Sequence, residues 1–123
     1  MPDASNLKYA KTDEWLDEVT GKVGISDYAQ GQLSDIVFLD IRARIGEMVE
    51  AGSAIASVES VKASSDVLSP SAGKVVAINA ELANNPENIN SDPYGSWFVQ
   101  LEGGVAVGLL DAVAYESYCV ERN

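Results

Sequence analysis

Side chains that commonly do chemistry are scarce in this chain. Its 123 residues include no histidine and one cysteine, Cys119. Without imidazole there is no Ser/His or Cys/His pair and no histidine general base. One thiol and no imidazole also remove the usual zinc ligands, and a lone cysteine closes no internal disulfide. Cys119 sits in an apolar-periodic stretch near the C-terminus, so it reads as a buried or half-buried structural thiol. Nineteen acids keep carboxylate catalysis formally open, but no pair of them stands out. Gly103-Gly104 and Gly108 lack the spacing and the strand–loop–helix setting of a phosphate cradle. Trp15 and Trp97 read as core or half-buried rings rather than ligand platforms.

That leaves a lysine. Lys62 stands in the middle of Glu59-Ser60-Val61-Lys62-Ala63-Ser64-Ser65-Asp66. A β-like run over 54–58 precedes it, and Val67-Leu68 and then 73–78 follow. This pattern predicts a hairpin with Lys62 at its tip. Exposed loops on rigid scaffolds are where functional groups tend to sit. The flanking Val61 and Ala63 are small or apolar, with serines beyond, so the amine is easily approached. A long flexible amine on a rigid hairpin suits covalent attachment of a prosthetic group. Most lysines, however, are ordinary solvated charges, and the residues alone leave both readings open. Glu59 and Asp66 bracket the lysine; as exposed charges they add solubility and little pairing energy.

The elements that must position this tip are short. Leu7-Lys8-Tyr9 reads as an edge strand, 15–19 and 22–25 as further strands, and Ser26 or Asp27 as the cap of a two-turn helix reaching Leu33. Residues 36–41 are nearly continuous apolar, as in a strand buried on both sides or bent between sheets. Met48-Val49 is a two-residue strand. One helical turn over 80–83 ends at Asn84-Asn85-Pro86, and a long loop over 86–96 contains Asp92-Pro93-Tyr94-Gly95, a type I turn. A strand over 97–101 follows. Over 110–120, Leu110, Val113, Ala114, Ser117 and Tyr118 share one face of an amphipathic C-terminal helix. Many short strands with glycine turns and little helix imply a mainly β fold, a sandwich or flattened barrel. No linker divides residues 1–123, so one domain is expected, with 1–6 as an N-terminal tail.

The charge is one-sided. Nineteen acids against eight bases give a net charge of −11, with 46% hydrophobic residues. Such a surface repels nucleic-acid phosphates and anionic lipids, so neither nucleic acid nor membrane is an expected partner. It favours basic patches on other proteins, or simply solubility. Residues 1–6 show neither a signal nor a transit pattern, and no apolar stretch approaches membrane-spanning length. A soluble, cytoplasmic protein is the expectation.

The octet around Lys62 closely resembles the glycine cleavage H-protein family. The likeness runs from Leu7 to Tyr118 through Leu7-Lys8-Tyr9, Glu14-Trp15, Ile25-Ser26-Asp27-Tyr28-Ala29-Gln30, Asp35-Ile36-Val37-Phe38, Ser69-Pro70, Gly73, Asn84, Pro86, Asn90, Asp92-Pro93-Tyr94-Gly95 and Trp97. The resemblance implies a hybrid barrel-sandwich like that of lipoyl and biotinyl carriers, and lipoic acid in amide linkage to Lys62. It implies a non-catalytic carrier. Glycine decarboxylase, a pyridoxal-phosphate enzyme, would load an aminomethyl group. An aminomethyltransferase would pass it to tetrahydrofolate, and dihydrolipoyl dehydrogenase would reoxidise the dithiol. A lipoate ligase or lipoyl/octanoyl transferase would attach the arm, with Glu59, Ser60, Val61 and Ala63 as the surroundings it recognises. Because the loaded arm carries an ammonium, the resemblance makes Thr12, Glu14 and Asp66 candidates for holding it. Three departures stand out: Asp13 where many members have histidine, a shorter segment after Tyr94-Gly95, and Arg42-Ala43-Arg44-Ile45 where a proline turn is common. Alternatives are a lipoate relay for 2-oxo-acid dehydrogenases, a dehydrogenase lipoyl or biotinyl domain (whose usual Asp-Lys-Ala or Met-Lys-Met is absent), and an unmodified adaptor.

Overall fold

Antiparallel pairing organises the chain into two sheets. The computed structural model describes residues 4–103 and 106–122. Its strands are β1 (Lys8–Tyr9), β2 (Glu14–Leu16), β3 (Lys22–Ile25), β4 (Ile36–Ile41), β5 (Met48–Val49), β6 (Ala54–Ser60), β7 (Ser64–Leu68), β8 (Gly73–Ile78) and β9 (Val99–Glu102). The larger sheet runs β1-β2-β3-β9-β8-β5 and the smaller β4-β6-β7. Helices α1 (Asp27–Leu33), α2 (Ala80–Asn84), α3 (Asn88–Ser91) and α4 (Ala112–Arg122) trim the edges. Both sheets feed one core: Val23, Ile25, Val75 and Val99 from the larger meet Ile36, Leu39, Val58 and Val67 from the smaller. This is the expected mainly β barrel-sandwich with short helices and a C-terminal helix. None of its helices is long and apolar enough to cross a membrane, among the described residues.

A second apolar cluster joins β1 and β2 to α4. Leu7, Tyr9, Trp15, Tyr115 and Cys119 are buried in it. Tyr9 and Tyr115 stack with ring centroids 4.4 Å apart and 5° between planes. Trp15 lies flat over β3: a Cβ at Gly24 would fall 2.6 Å from its ring, so glycine alone lets the indole in. Strand β3 is therefore buried on both faces. The Trp15 Nε1–H donates to the Pro93 carbonyl at 3.2 Å, which ties the type I turn to this cluster. That turn closes through Gly95 N–H to Asp92 O at 3.2 Å.

Several expectations are met closely. Ser26 caps α1, its hydroxyl accepting from Ala29 N–H at 3.1 Å. Cys119 is a free, buried thiol, and Trp15 and Trp97 are buried and half-buried.

Others are corrected. Strand β2 stops at Leu16, and Val19 is exposed in the turn that follows. Strand β4 is not buried on both sides. Its pairing with β6 slips between Ile36 and Phe38, and this bulge turns both Val37 and Phe38 to solvent while Ile36 and Leu39 stay inside. The expected loop over 86–96 contains α3, whose Asn90 side chain accepts from Ile36 N–H at 2.8 Å and donates to Gln30 and Ser34. It thereby pins the start of β4. Strand β9 starts at Val99, two residues later than expected. Helix α4 is shifted and rotated: it buries Tyr115 and Cys119, while Val113, Ala114 and Ser117 face solvent. Stacking and a buried hydroxyl network set its face, not aliphatic spacing. Within the expected tail, Ala4–Asn6 form a 3-10 turn. Residues 1–3 of that tail, and Gly104, lie outside the described residues.

Candidate functional site

Strands β6 and β7 form a hairpin whose pairing slips once, between Ala54 and Ala56, and then runs in register from Ala56–Val67 to the Glu59–Ser64 pair. Beyond it Val61, Lys62 and Ala63 are exposed. One side chain organises this turn. The Ser60 hydroxyl accepts from Lys62 N–H at 3.2 Å and Ala63 N–H at 3.1 Å, and lies 3.1 Å from the Ala63 carbonyl. Ser60 N–H donates to the Ala63 carbonyl at 2.7 Å, and Val61 N–H to the Asp35 carbonyl at 3.0 Å. The lysine thus stands on an ordered backbone while its amine is free to be approached. Glu59 projects from the outer face of the hairpin, opposite Phe38.

The other candidates meet below the tip. A cavity of about 160 Å³ lies between the open edge of β7 and the start of β2. Thr12, Glu14 and Asp66 all line it, with Ile25, Leu33, Val58 and Val67 as apolar wall. Glu14 is 2% exposed. Its carboxylate accepts from the Thr12 hydroxyl and from Leu68 N–H at 3.0 Å. It makes no ion pair among the described residues. Burial pushes its pKa up to about 7, against the lowering effect of those hydrogen bonds. A carboxyl kept half-protonated near neutrality by desolvation is poised to gain from a cation. Asp66 differs. It is exposed at the mouth, and Arg42 stands 3.5 Å from its carboxylate and 3.8 Å from that of Asp40. Sequence reading missed this partner; the signal was the arginine-rich stretch after β4.

The turn that carries Thr12 and Glu14 is clasped from behind. Asp13 sits at φ +83°, a left-handed conformation that aspartate tolerates better than most residues. Its carboxylate accepts from the Tyr115 hydroxyl at 2.7 Å and from Arg122 at 2.6 Å. Since the phenol donates to Asp13, the Ser26 hydroxyl, 2.6 Å away, donates to the phenol. Burial, with Asp13 adding to it, pushes the Tyr115 hydroxyl up, so it stays a donor. The Arg122 guanidinium lies over Tyr28 and Tyr118, 4.3 and 4.2 Å from their centroids. The Asp13 hydrogen bond holds Arg122 firmly charged. Asp13 thus has a partner on α4, more than a hundred residues away, and nothing local in the sequence announces it.

Comparison with known proteins bears on what this arrangement is for. The model of the family described as "Glycine cleavage H-protein" matches residues 7–121. The chain belongs to the glycine cleavage H-protein family. A member from Acidobacterium capsulatum, named "Glycine cleavage system H protein", is 46% identical over 128 residues, spanning 100% of this chain and 98% of that protein. One of the same name from Deinococcus deserti is 48% identical over 119 residues, spanning 95% and 98%. The crystal structure of a glycine cleavage system H protein from Mycobacterium marinum superposes with a TM-score of 0.84 at 30% identity, over 99% of this chain and 98% of that one. In this chain Asp13 and its distant arginine fix the turn ahead of Glu14.

Proposed function

We propose that this protein is the lipoyl carrier of glycine cleavage, with the Lys62 Nζ as the attachment point. The observation that carries the reading is the tip itself, an exposed lysine on a backbone fixed by Ser60 and Asp35. The surroundings fit an acyl arm. Ser65 and Asp66, at the cleft mouth, lie three and four residues along the chain from Lys62, across the turn and into β7, within about 10–13 Å at full extension. A lysine lengthened by a medium-chain acyl group spans that distance. The wall of Ile25, Leu33, Val58 and Val67 suits an apolar chain, and Glu14 suits a cation at its end. When bound, the lipoyl group supplies a disulfide that takes up the aminomethyl group of glycine and is reduced in doing so.

The chain's own residues present, orient and shelter. Ser60 keeps the tip in one conformation, so less ordering is required when an enzyme engages it. Tethering holds the cargo at high local concentration near each partner. Glu14, Thr12 and Asp66 receive the cargo's ammonium, and the apolar wall keeps water away. The carboxyl of Glu14 gives up its proton as the cation enters, so retention strengthens as pH rises through about 7. No side chain here is asked to catalyse. The partners are glycine decarboxylase, the aminomethyltransferase, dihydrolipoyl dehydrogenase and an enzyme that attaches the arm.

Intact mass after incubation with lipoate, ATP and a lipoate ligase tests this. The wild type should gain one lipoyl group and Lys62→Arg none. The modified protein, and not the unmodified one, should support glycine–bicarbonate exchange by purified glycine decarboxylase. A wild type that gains no mass overturns the reading.

A further inference from the structure

The bulge in β4 has placed two large apolar side chains where an alternating strand would expose one. Val37 is 57% and Phe38 52% exposed. Val61, beside Lys62, is 67% exposed and is hydrogen-bonded through its amide to Asp35, two residues before Val37. Phe38 pairs across the sheet with Glu59, three residues from the lysine. The outer face of the small sheet is therefore graded. At the lysine end it is apolar; at the far end Asp40, Arg42 and Asp66 make it ionic. The apolar end is rimmed by Asp35 and Glu59, exposed acids that form no ion pair among the described residues. Bulges commonly re-aim side chains next to functional sites.

The geometry points to Val37, Phe38 and Val61 as the docking patch for the enzyme that acylates Lys62, an apolar depression with a basic rim being its counterpart. This rests on the carrier reading above. The occupant follows from reach. In the attachment step the Nζ lone pair attacks the carbonyl carbon of an acyl adenylate. The C–N bond forms, the C–O bond to phosphate breaks, AMP leaves with the electron pair, and the proton from the amine goes to solvent. That carbonyl must come to bonding distance of an amine on a bare four-carbon stem. The attaching enzyme is thus forced onto the residues around the tip. Enzymes acting on the far end of a finished arm stand off by the length of the acyl chain. The basic rim follows from the unpaired acids, which steer encounter more than they tighten the complex.

The test measures initial lipoylation rates of the full-length unmodified protein with lipoate, ATP and a lipoate ligase, read by intact mass. For the Val37→Ser/Phe38→Ser double variant kcat/KM should fall on the order of 10- to 100-fold, mainly through KM, with thermal midpoint unchanged. Val61→Ser, which leaves β4 untouched, should fall several-fold in the same direction. Val113→Ser/Val120→Ser, on exposed apolar positions of α4, should match the wild type. Glycine–bicarbonate exchange by the exhaustively lipoylated double variant should stay within a few-fold of wild type. Wild-type lipoylation rates in both patch variants overturn the proposal. An equal loss in exchange by the lipoylated variant overturns the choice of occupant. A wild type that is never lipoylated overturns the carrier reading itself, a result distinguishable from both.

Discussion

The tip at Lys62 and the cleft at Glu14 share strand β7, which leads from one to the other, and are built on opposite terms. At the tip, three consecutive residues are exposed and a single serine side chain orders the turn. In the cleft, a carboxylate is buried, and the turn that carries it is clasped, through its own Asp13, by a tyrosine and an arginine of the C-terminal helix. Presentation needs access from several directions, so its rigidity is confined to the backbone. Retention needs a dry wall and a charge that water does not satisfy, which requires tertiary packing. Substitutions at the tip should therefore change function and spare stability, whereas substitutions behind the cleft should do the reverse.

The largest test of that contrast is Tyr115→Ala. It removes the stack on Tyr9 and leaves Ser26 and Asp13 without their shared partner. A loss of about 3 kcal/mol or more in urea unfolding is expected, as for other buried aromatic truncations. A loss below about 1 kcal/mol would mean that α4 is ornamental and the contrast is wrong.

Glu14→Gln comes next and acts through pH. Below about pH 4.5 the carboxyl is protonated in both folded and unfolded chains and costs nothing. Above it the unfolded chain ionises first, while folded Glu14 keeps its proton up to about pH 7. Stability of the unmodified wild type therefore falls through this window and the full cost is reached above it, on the order of 3 kcal/mol. The amide carries no such cost, so the variant should gain on the wild type as pH rises from 5 to 8. Urea midpoints of the two proteins across that range decide it; a gap that does not change with pH sinks the idea.

The smallest effect on stability is expected at Ser60. Ser60→Ala should cost under about 1 kcal/mol, because the hydrogen bonds it removes at the tip are open to solvent. It should still slow lipoylation several-fold, because the freed turn must be reordered each time an enzyme grips it. An unchanged rate would show that the turn needs no internal fastening.

How much of this was legible in the sequence follows from the range of each interaction. The hairpin and its lysine could be read, because the flanking apolar runs and the small tip residues are local signals. So could the Ser26 cap and the Asp92–Gly95 turn. The face of α4 could not. Its orientation comes from Tyr115 meeting Tyr9 and Asp13 across the chain, and aliphatic spacing at Val113 pointed elsewhere. Strand β4 misled for another reason: Val37 and Phe38 look like core, but a register slip rather than composition decides where they face. Thr12, Glu14 and Asp66 were named through family likeness. Their convergence on one cavity, and the pairing of Asp66 with Arg42, needed the fold.

The small sheet ends in two open edges, β4 and β7. An unprotected edge is a template on which a strand of another chain can add, and at high protein concentration that leads to aggregates. Here each edge is spoiled by a feature already serving another purpose. Along β7 the outward Leu68 N–H is occupied by the Glu14 carboxylate. Along β4 the bulge at Val37 breaks the even spacing that a docking strand requires. Each open edge thus offers an incoming strand an interrupted template.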